Sequence, residues 1–426
     1  MERTIPAFGL CVLLGIAWLL SSNRHRISMR IVVGGMLMQF LMALLVLRSD
    51  VGQSIFQSIG DLFTKLLDCV DQGAGFVFGN GAVQTPTKED PAATTAAYKV
   101  HFVAFKVLPT IIFFSSLMSV LYYLGLMQKL VGAIALLMQK TLGTSGAETL
   151  SAAGNIFVGQ TEAPLLVKPY LNAMTRSELM AVMVGGFATI AGGVMAAYVG
   201  MGIDPVHLLT ASLMSAPAAL VVAKIMQPEV ELPSTLGTVE MTPPMEATNL
   251  IDAAAQGASD GMKLALNVGA MLIAFLGLIY MLDSIFAATI QWITFKATGE
   301  GYPITFTQII GWLSQPFAWL MGIEYQDLPF AGQVLGKRIV GNEFIAYLEM
   351  DPKFNRELAI SDRTKTILTY ALCGFANVGS IGIQLGGLGP LAPDRRADLV
   401  SLGVRAMIGG LLACYMTACV ASLLIP

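Results

Sequence analysis

Ser151-Ala-Ala-Gly-Asn-Ile-Phe-Val-Gly-Gln-Thr-Glu-Ala-Pro164 is the stretch on which the fold turns. It places Asn155, Gln160, Thr161 and Glu162 within two helical turns, is interrupted by Gly154 and Gly159, and stops at Pro164. Its surroundings are apolar. The chain of 426 residues is 55% hydrophobic and only 12% charged, about half the charged fraction of an ordinary soluble domain. A carboxylate and two amides at membrane depth are costly, because lipid offers them no hydrogen-bond partner. Such a run is tolerated where protein encloses a wet cavity. A polar loop outside the membrane is the plainer alternative, and a second run of the same kind later in the chain weighs against it.

The stretch continues as Leu165 to Met174. As one unbroken helix at about 1.5 Å per residue, Leu150 to Met174 would just cross a hydrocarbon core of ~30 Å. Broken at Gly159 and Pro164, it fits better as two half-helices that enter and leave on one side, hairpin one, with Lys168 and Arg176 at the inner end. Upstream, Ile5–Leu20 reads as an uncleaved first span, since basic residues follow it and no small-residue cleavage site does. Ile31–Leu47 is the second. Arg24, Arg26 and Arg30 between them put that loop inside and the N-terminus outside. Val51–Val70 has apolar residues at helical spacing and reads as an interfacial helix, followed by a polar loop over 84–91. Phe102–Leu126 is the third span, with a kink expected at Pro109, and Leu130–Met138 is amphipathic.

Downstream, Met180–Val199 is a span whose Gly185-Gly-Phe-Ala-Thr-Ile-Ala-Gly-Gly193 should loosen the helix. Leu208–Met226 returns inward and is followed by a polar, acidic loop over 228–249. Leu264–Ala288 runs outward, and Trp312–Met321 is an interfacial or short re-entrant piece. Phe330–Met350 holds the second polar run, Gly341-Asn-Glu-Phe-Ile-Ala-Tyr-Leu348. Thr364–Leu385 is a span containing Cys373-Gly-Phe-Ala-Asn-Val-Gly-Ser-Ile-Gly382, and Val404–Leu424 closes the chain. The fold class is therefore an all-α polytopic membrane protein of about eight transmembrane helices.

The rest of the composition excludes more than it assigns. A formal charge of -3 without a basic stripe argues against a nucleic-acid partner. The five cysteines form no CxxC pair and the three histidines lie far apart, so neither a disulfide framework nor a zinc site is indicated. The 43 glycines and 24 methionines suit close helix packing and adaptable apolar surfaces. Gly332-x-x-x-Gly336-Lys337 falls short of a phosphate loop, with Arg338 where a hydroxyl residue is needed.

Two pieces recur. Each polar turn precedes a Gly-Phe-Ala span, Gly186-Phe-Ala-Thr-Ile190 in one half and Gly374-Phe-Ala-Asn-Val378 in the other. By the span count the two Gly-Phe-Ala helices run in opposite directions, so the halves are related by inversion. Inverted repeats with broken helices that meet at the midplane are a transporter architecture with its ligand at the meeting point. Gln160, Thr161, Glu162, Glu343, Asn377, Ser380, Asn155 and Thr189 would converge there with Phe375. No arginine or lysine joins them, which disfavours an anionic ligand. Two carboxylates for vicinal hydroxyls and an amide for a base edge favour a neutral, hydroxyl-rich ligand with one flat apolar face.

Gly159-Gln-Thr-Glu-Ala-Pro164, Asn342-Glu-Phe344 and Gly374-Phe-Ala-Asn-Val-Gly-Ser380, in this order, resemble the signature segments of the concentrative nucleoside transporters. The resemblance covers roughly residues 100–426, and the first two spans match the short bacterial members. It implies eight transmembrane helices, two opposed re-entrant hairpins and a homotrimer in the cell (inner) membrane, embedded in the lipid bilayer, with a transport domain that moves as an elevator. The parts would be 1–126 (scaffold helices and interfacial helix), 127–228 (first transport repeat), 229–323 (cytoplasmic loop, scaffold span and interfacial helix) and 324–426 (second transport repeat). It implies that Gln160 and Thr161 contact the nucleobase with Glu162 nearby, that Phe375 and Val194 pack on the base, and that Glu343, Asn377 and Ser380 hold the ribose. A sodium ion would lie at Asn155 and Thr189 by side chain and at Val158 and Ile190 by carbonyl. Some members carry serine where Thr189 stands. The implied function is sodium-driven import of uridine-like nucleosides, with proton coupling as the alternative.

Glu162 and Glu343 could be structural partners of Lys168 and Arg338. They could instead be the acid/base pair of an intramembrane enzyme, but no nucleophile, metal cluster or histidine accompanies them. A channel would show a pore ring rather than inverted hairpins.

Overall fold

The computed structural model describes residues 4–79, 103–236, 247–351 and 360–425, and every regular element among them is helical. α1 (Thr4–Leu19) and α2 (Met29–Arg48) are joined by the basic turn. Its arginines cap helix ends: Arg24 donates to the Leu19 carbonyl at 2.9 Å and Arg30 to the Lys140 carbonyl at 2.9 Å, where the helix dipoles are negative. α3 (Asp50–Phe78) extends the expected interfacial helix. The loop expected over 84–91, the start of the third span at Phe102 and part of the acidic loop over 228–249 lie outside the described residues.

The third span opens with a π-helical turn, Val103–Val107, and continues as α4 (Leu108–Tyr123). Pro109 therefore does not kink the middle of the span. It sits in the first turn of α4, and the wider turn before it accommodates the missing N–H. The sharp bend comes instead at Gly125, with φ +75°, where α4 meets α5 (Leu126–Leu142) at 78°.

Hairpin one is α6 (Gly146–Gly154), a non-helical tip, and a return arm, Ala163–Ala173, that is 3-10 rather than α-helical. Pro164 starts that arm, Pro169 removes a further donor inside it, and Val167 leaves helical φ/ψ. The span expected over Met180–Val199 is two half-helices, α7 (Arg176–Ala188) and α8 (Gly192–Gly200). α9 (Pro205–Met226) follows. α10 (Leu250–Thr298) has 49 residues, about 74 Å at 1.5 Å per residue, well beyond the expected Leu264–Ala288. Asn249 caps its start and Gly299 its end, so the polar first turns belong to the same helix.

α11 (Phe306–Leu320) and α12 (Leu328–Val340) cross closely. A Cβ on Gly332 would lie 2.5 Å from the Gly311 carbonyl oxygen and one on Gly336 2.9 Å from the Gly311 nitrogen. The near-miss phosphate loop is thus a helix-crossing motif of small residues. α12 and α13 (Glu343–Met350) form hairpin two, broken at Gly341 and Asn342, its arms joined by Lys337 and Glu349 at 2.8 Å. The last expected pair of spans is α14 (Asp362–Leu372) with α15 (Val378–Leu391), again two halves, and α16 (Arg396–Leu424).

Among the described residues, Met29–Arg48, Arg176–Gly200, Pro205–Met226, Leu250–Thr298 and Pro393–Leu424 are each long and apolar enough to cross a membrane alone. The remaining expected spans are short (α1, 16 residues), bent (α4 with α5) or broken (α14 with α15). α7, α9 and α16 make the centre, with α1 and α2 against them; Gln39 donates to the Thr417 hydroxyl at 2.9 Å across α2 and α16. α10 lies at the edge, paired with α4: 12% of its apolar window is buried, against 94% for Arg176–Gly200.

One buried polar cluster fixes the base of hairpin one. Lys224 of α9 meets Glu148 at 2.6 Å and Glu229 at 3.2 Å, and donates to Ser177 at 2.9 Å. Capping boxes at Ser145/Glu148 and Thr175/Glu178 start α6 and α7, and Ser145 also donates to Glu178 at 2.5 Å.

Candidate functional site

The two Gly-Phe-Ala segments break their helices and touch. A Cβ on Gly374 would lie 2.7 Å from the Phe187 carbonyl oxygen and 2.9 Å from the Ala188 carbonyl carbon. Gly186 is equally confined: its Cβ would meet Gln384 Nε2 at 2.6 Å and Gln160 Cβ at 2.8 Å. Glycine is required at both places for the backbones to approach. Gln384 is buried and donates to the Met183 carbonyl at 2.9 Å. α15 thereby joins the second break to the tip of hairpin one, with Thr161 beside Gly387 further along the same helix.

The tip of hairpin one lies against the break between α7 and α8. The Gly192 amide donates to the Phe157 carbonyl at 3.0 Å, and the Ser212 hydroxyl to that of Ile156 at 2.7 Å. Asn155 is fully buried; its Nδ2 donates to the Ser151 carbonyl at 3.1 Å and packs on Gly185, while its Oδ1 has no partner among the described residues. Thr189, also buried, donates to the Gly185 carbonyl at 2.8 Å, which leaves the lone pairs of its hydroxyl oxygen. Among the described residues, the carbonyls of Val158 and Ile190 accept no backbone hydrogen bond outside the regular helices. An orphaned amide oxygen, a hydroxyl oxygen and two carbonyls beside unwound backbone are an all-oxygen donor set that fits a small alkali cation.

The opposite end of the site is a carboxylate. Glu343 stands in the first turn of α13, 5% exposed. Its Oε1 accepts from the Tyr198 hydroxyl at 2.9 Å and its Oε2 from Asn377 Nδ2 at 3.1 Å. Asn377 caps α15, its Oδ1 accepting from the Ser380 amide at 2.9 Å, and Ser380 is buried beside it. Arg338 is not the partner of Glu343. Fully buried, it donates to the Ala371 carbonyl at 2.5 Å and the Gly374 carbonyl at 3.2 Å, carbonyls at the break after α14. Glu162 likewise does not pair with Lys168, which is exposed. Its carboxylate accepts from the Gly159 amide at 2.8 Å. Val194 is buried on α8 and Phe375 half-buried at the second break.

Beside the tip, Val158, Thr161 and Glu162 line a cavity of about 370 Å³ whose far wall is α4 and α10, with Ser115, Ser119, Tyr122, Asp260, Lys263 and Asn267. Gln160, Glu343, Phe375, Asn377 and Ser380 lie outside this lining. Tyr198, Gln384, Tyr122 and the Asp260–Lys263 pair were not singled out by the sequence. The tyrosines read as packing, and Gln384 sat inside an apparently ordinary span. A lone buried glutamine in such a span was the available signal. Lys263, ion-paired with Asp260 at 2.9 Å and largely exposed, places one cation on the far wall of the cavity, where none was expected.

Residues 207–422 match the family described as Na+ dependent nucleoside transporter C-terminus, residues 8–81 its N-terminus, and residues 104–204 a region described as Nucleoside recognition. The chain is 46% identical to an uncharacterized transporter of Haemophilus influenzae, over 98% of this chain and 96% of that one. It is 43% identical to human solute carrier family 28 member 3 and 42% identical to rat sodium/nucleoside cotransporter 1 over 99% of its own length, but spans only 60% and 64% of those longer proteins. The structure of CNTnw in an inward-facing substrate-bound state superposes with a TM-score of 0.89 at 42% identity, over 100% of this chain and 98% of that one. A CNTnw variant in an outward-facing state superposes with a TM-score of 0.88 at 41% identity, over the same shares of both chains.

Proposed function

The chain belongs to the sodium-dependent nucleoside transporter family, a family of transporters and not of enzymes, and from that premise we propose that it is a secondary active symporter importing uridine-like nucleosides on a sodium gradient. The observation that carries the reading is Glu343: a buried carboxylate held by the Tyr198 hydroxyl and the Asn377 amide, with no cation bonded to it among the described residues. A carboxylate with spare lone pairs accepts from the vicinal hydroxyls of a ribose, and Asn377 and Ser380 stand beside it for the same ring. Gln160 and Thr161 take the polar edge of the base, with Glu162 nearby, and Val194 and Phe375 cover its face.

Asn155, Thr189 and the carbonyls of Val158 and Ile190 would hold the sodium ion, whose charge supplies a fixed attraction for these oxygens. Asn155 and Gln160 belong to one tip. Residues that hold the ion at 155 and 158 thereby order the backbone that presents 160–162 to the base, which links the two binding events through a common ordering cost. The repeats at 127–228 and 324–426 would move together as an elevator past a scaffold made by 1–126 and 229–323. The lightly buried α10 would face lipid and neighbouring copies of a homotrimer in the cell membrane. Proton coupling is the second reading, favoured by Glu162, a carboxylate on the cavity wall whose one hydrogen-bond partner among the described residues is a backbone amide.

Calorimetric titration of the purified protein with uridine, in sodium and then in choline buffer, tests the coupling. Binding in sodium that is lost in choline is expected. Equal binding in both contradicts the sodium reading.

A further inference from the structure

The cavity between the tip of hairpin one and the α4–α10 pair holds a group that the binding set above does not use. Tyr122 lies in the last turn of α4, is 6% exposed and lines this cavity, and its hydroxyl has no hydrogen-bond partner among the described residues. A buried hydroxyl without a partner is unfavourable, and the opposing wall carries Thr161 and Glu162. The direction in which a nucleoside would lie follows from the reading just given, on which this inference rests. Glu343, Asn377 and Ser380 cluster at the N-terminus of α15, whereas Thr161 packs against Gly387 two turns along it. A ribose at the first place directs the base toward the second. In a pyrimidine nucleoside the ring atom opposite the ribose-bearing nitrogen is C4, so the C4 substituent is the part of the base that reaches farthest toward this cavity.

We propose that the Tyr122 hydroxyl is a specificity-determining contact to the C4 substituent of pyrimidine nucleosides, made from the α4 side of the cavity. A phenol both donates and accepts, so it satisfies the C4 carbonyl of uridine and the C4 amino group of cytidine alike, and a ring bearing only hydrogen at C4 leaves it unpaired. The contact recognises a polar C4 group without separating the two bases. Ser119, one turn earlier on the same wall, is a hydroxyl of the same kind but smaller reach.

The test is equilibrium binding of uridine, cytidine and the pyrimidin-2-one ribonucleoside, which lacks a C4 substituent, to wild-type protein and to Tyr122→Phe in saturating sodium. Wild type is expected to bind uridine and cytidine about 3- to 10-fold more tightly than the C4-unsubstituted nucleoside, the span of one neutral hydrogen bond. In Tyr122→Phe that preference should narrow, by weaker binding of the first two, with the third unchanged within about twofold. The unchanged third affinity also reports that the variant is folded. An equal loss for all three ligands, or no loss for any, overturns the assignment. A wild type without preference for a C4 substituent overturns it without recourse to the variant. Wild type that binds none of the three removes the nucleoside reading itself, and this inference with it.

Discussion

The chemistry rests on a few polar side chains held in apolar surroundings. Replacing Glu343 by glutamine removes the charge and presents an amide donor to Asn377, whose Nδ2 is already a donor at 3.1 Å. Loss of a charge-assisted contact to two hydroxyls is expected to weaken uridine binding about 100-fold. Binding within about threefold of wild type would remove Glu343 from the site. Asn155→Ala and Thr189→Ala should each raise the sodium concentration for half-maximal binding, by about tenfold, with a smaller effect on nucleoside affinity at saturating sodium. A sodium-dependent shift in melting temperature that is the same as in wild type would sink the ion site independently of uptake. Glu343 and Asn155 stand out in the sequence as candidates because amides and carboxylates are rare at membrane depth, and Thr189 only through its place in a glycine-dense span. Tyr198 and Tyr122 do not, because tyrosine is at home in apolar surroundings and its hydroxyl declares itself only through its neighbours. Arg338 could equally have been a partner for Glu343 on sequence spacing. Only the fold shows that it serves the carbonyls exposed where α14 breaks.

Breaks and close crossings organise the elements. The first Gly-Phe-Ala segment was readable as loosened helix and the second as part of a span, but neither as a full break, at 189–191 and 373–377. What decides them is the contact of one break with the other, a long-range packing fact absent from local spacing. Hairpin one was readable from glycine and proline, whereas hairpin two followed only from the family resemblance; the 3-10 return arm of hairpin one, with Pro164, Pro169 and a non-helical Val167, was not readable. The small-residue crossing of α11 and α12 leads to a stability prediction. Gly336→Leu would drive a side chain into the Gly311 backbone, 2.9 Å from the position of its Cβ, and should destabilise the protein by about 1–3 kcal/mol or more. Thermal unfolding followed by intrinsic fluorescence reads the loss; an unchanged midpoint would show that the crossing is looser than described. Lys224→Met leaves Glu148 buried without its cation, 2.6 Å away in the native chain. It should cost about 3–5 kcal/mol, whereas the same protein with Glu148→Gln added should recover part of the loss. No recovery would mean that the pair is not coupled.

For the whole molecule, the sequence conveyed the inverted pairing of the two halves because each repeats a polar turn followed by a glycine-rich span. It did not convey the length of α10, whose first turns are polar enough to look like loop, nor that α10 and α4 form the wall opposite the tip of hairpin one. Under the elevator reading proposed above, that wall would matter for alternating access, since a site shared between two parts of a molecule is exposed or covered as they slide. The measurement closest to the central claim is uptake of labelled uridine into proteoliposomes under an inward sodium gradient, and then under an inward proton gradient at matched voltage. Uphill accumulation with sodium and none with protons alone is expected. Accumulation driven by protons and indifferent to sodium would contradict the sodium reading, and would shift the coupling role from Asn155 and Thr189 to the Glu162 carboxylate.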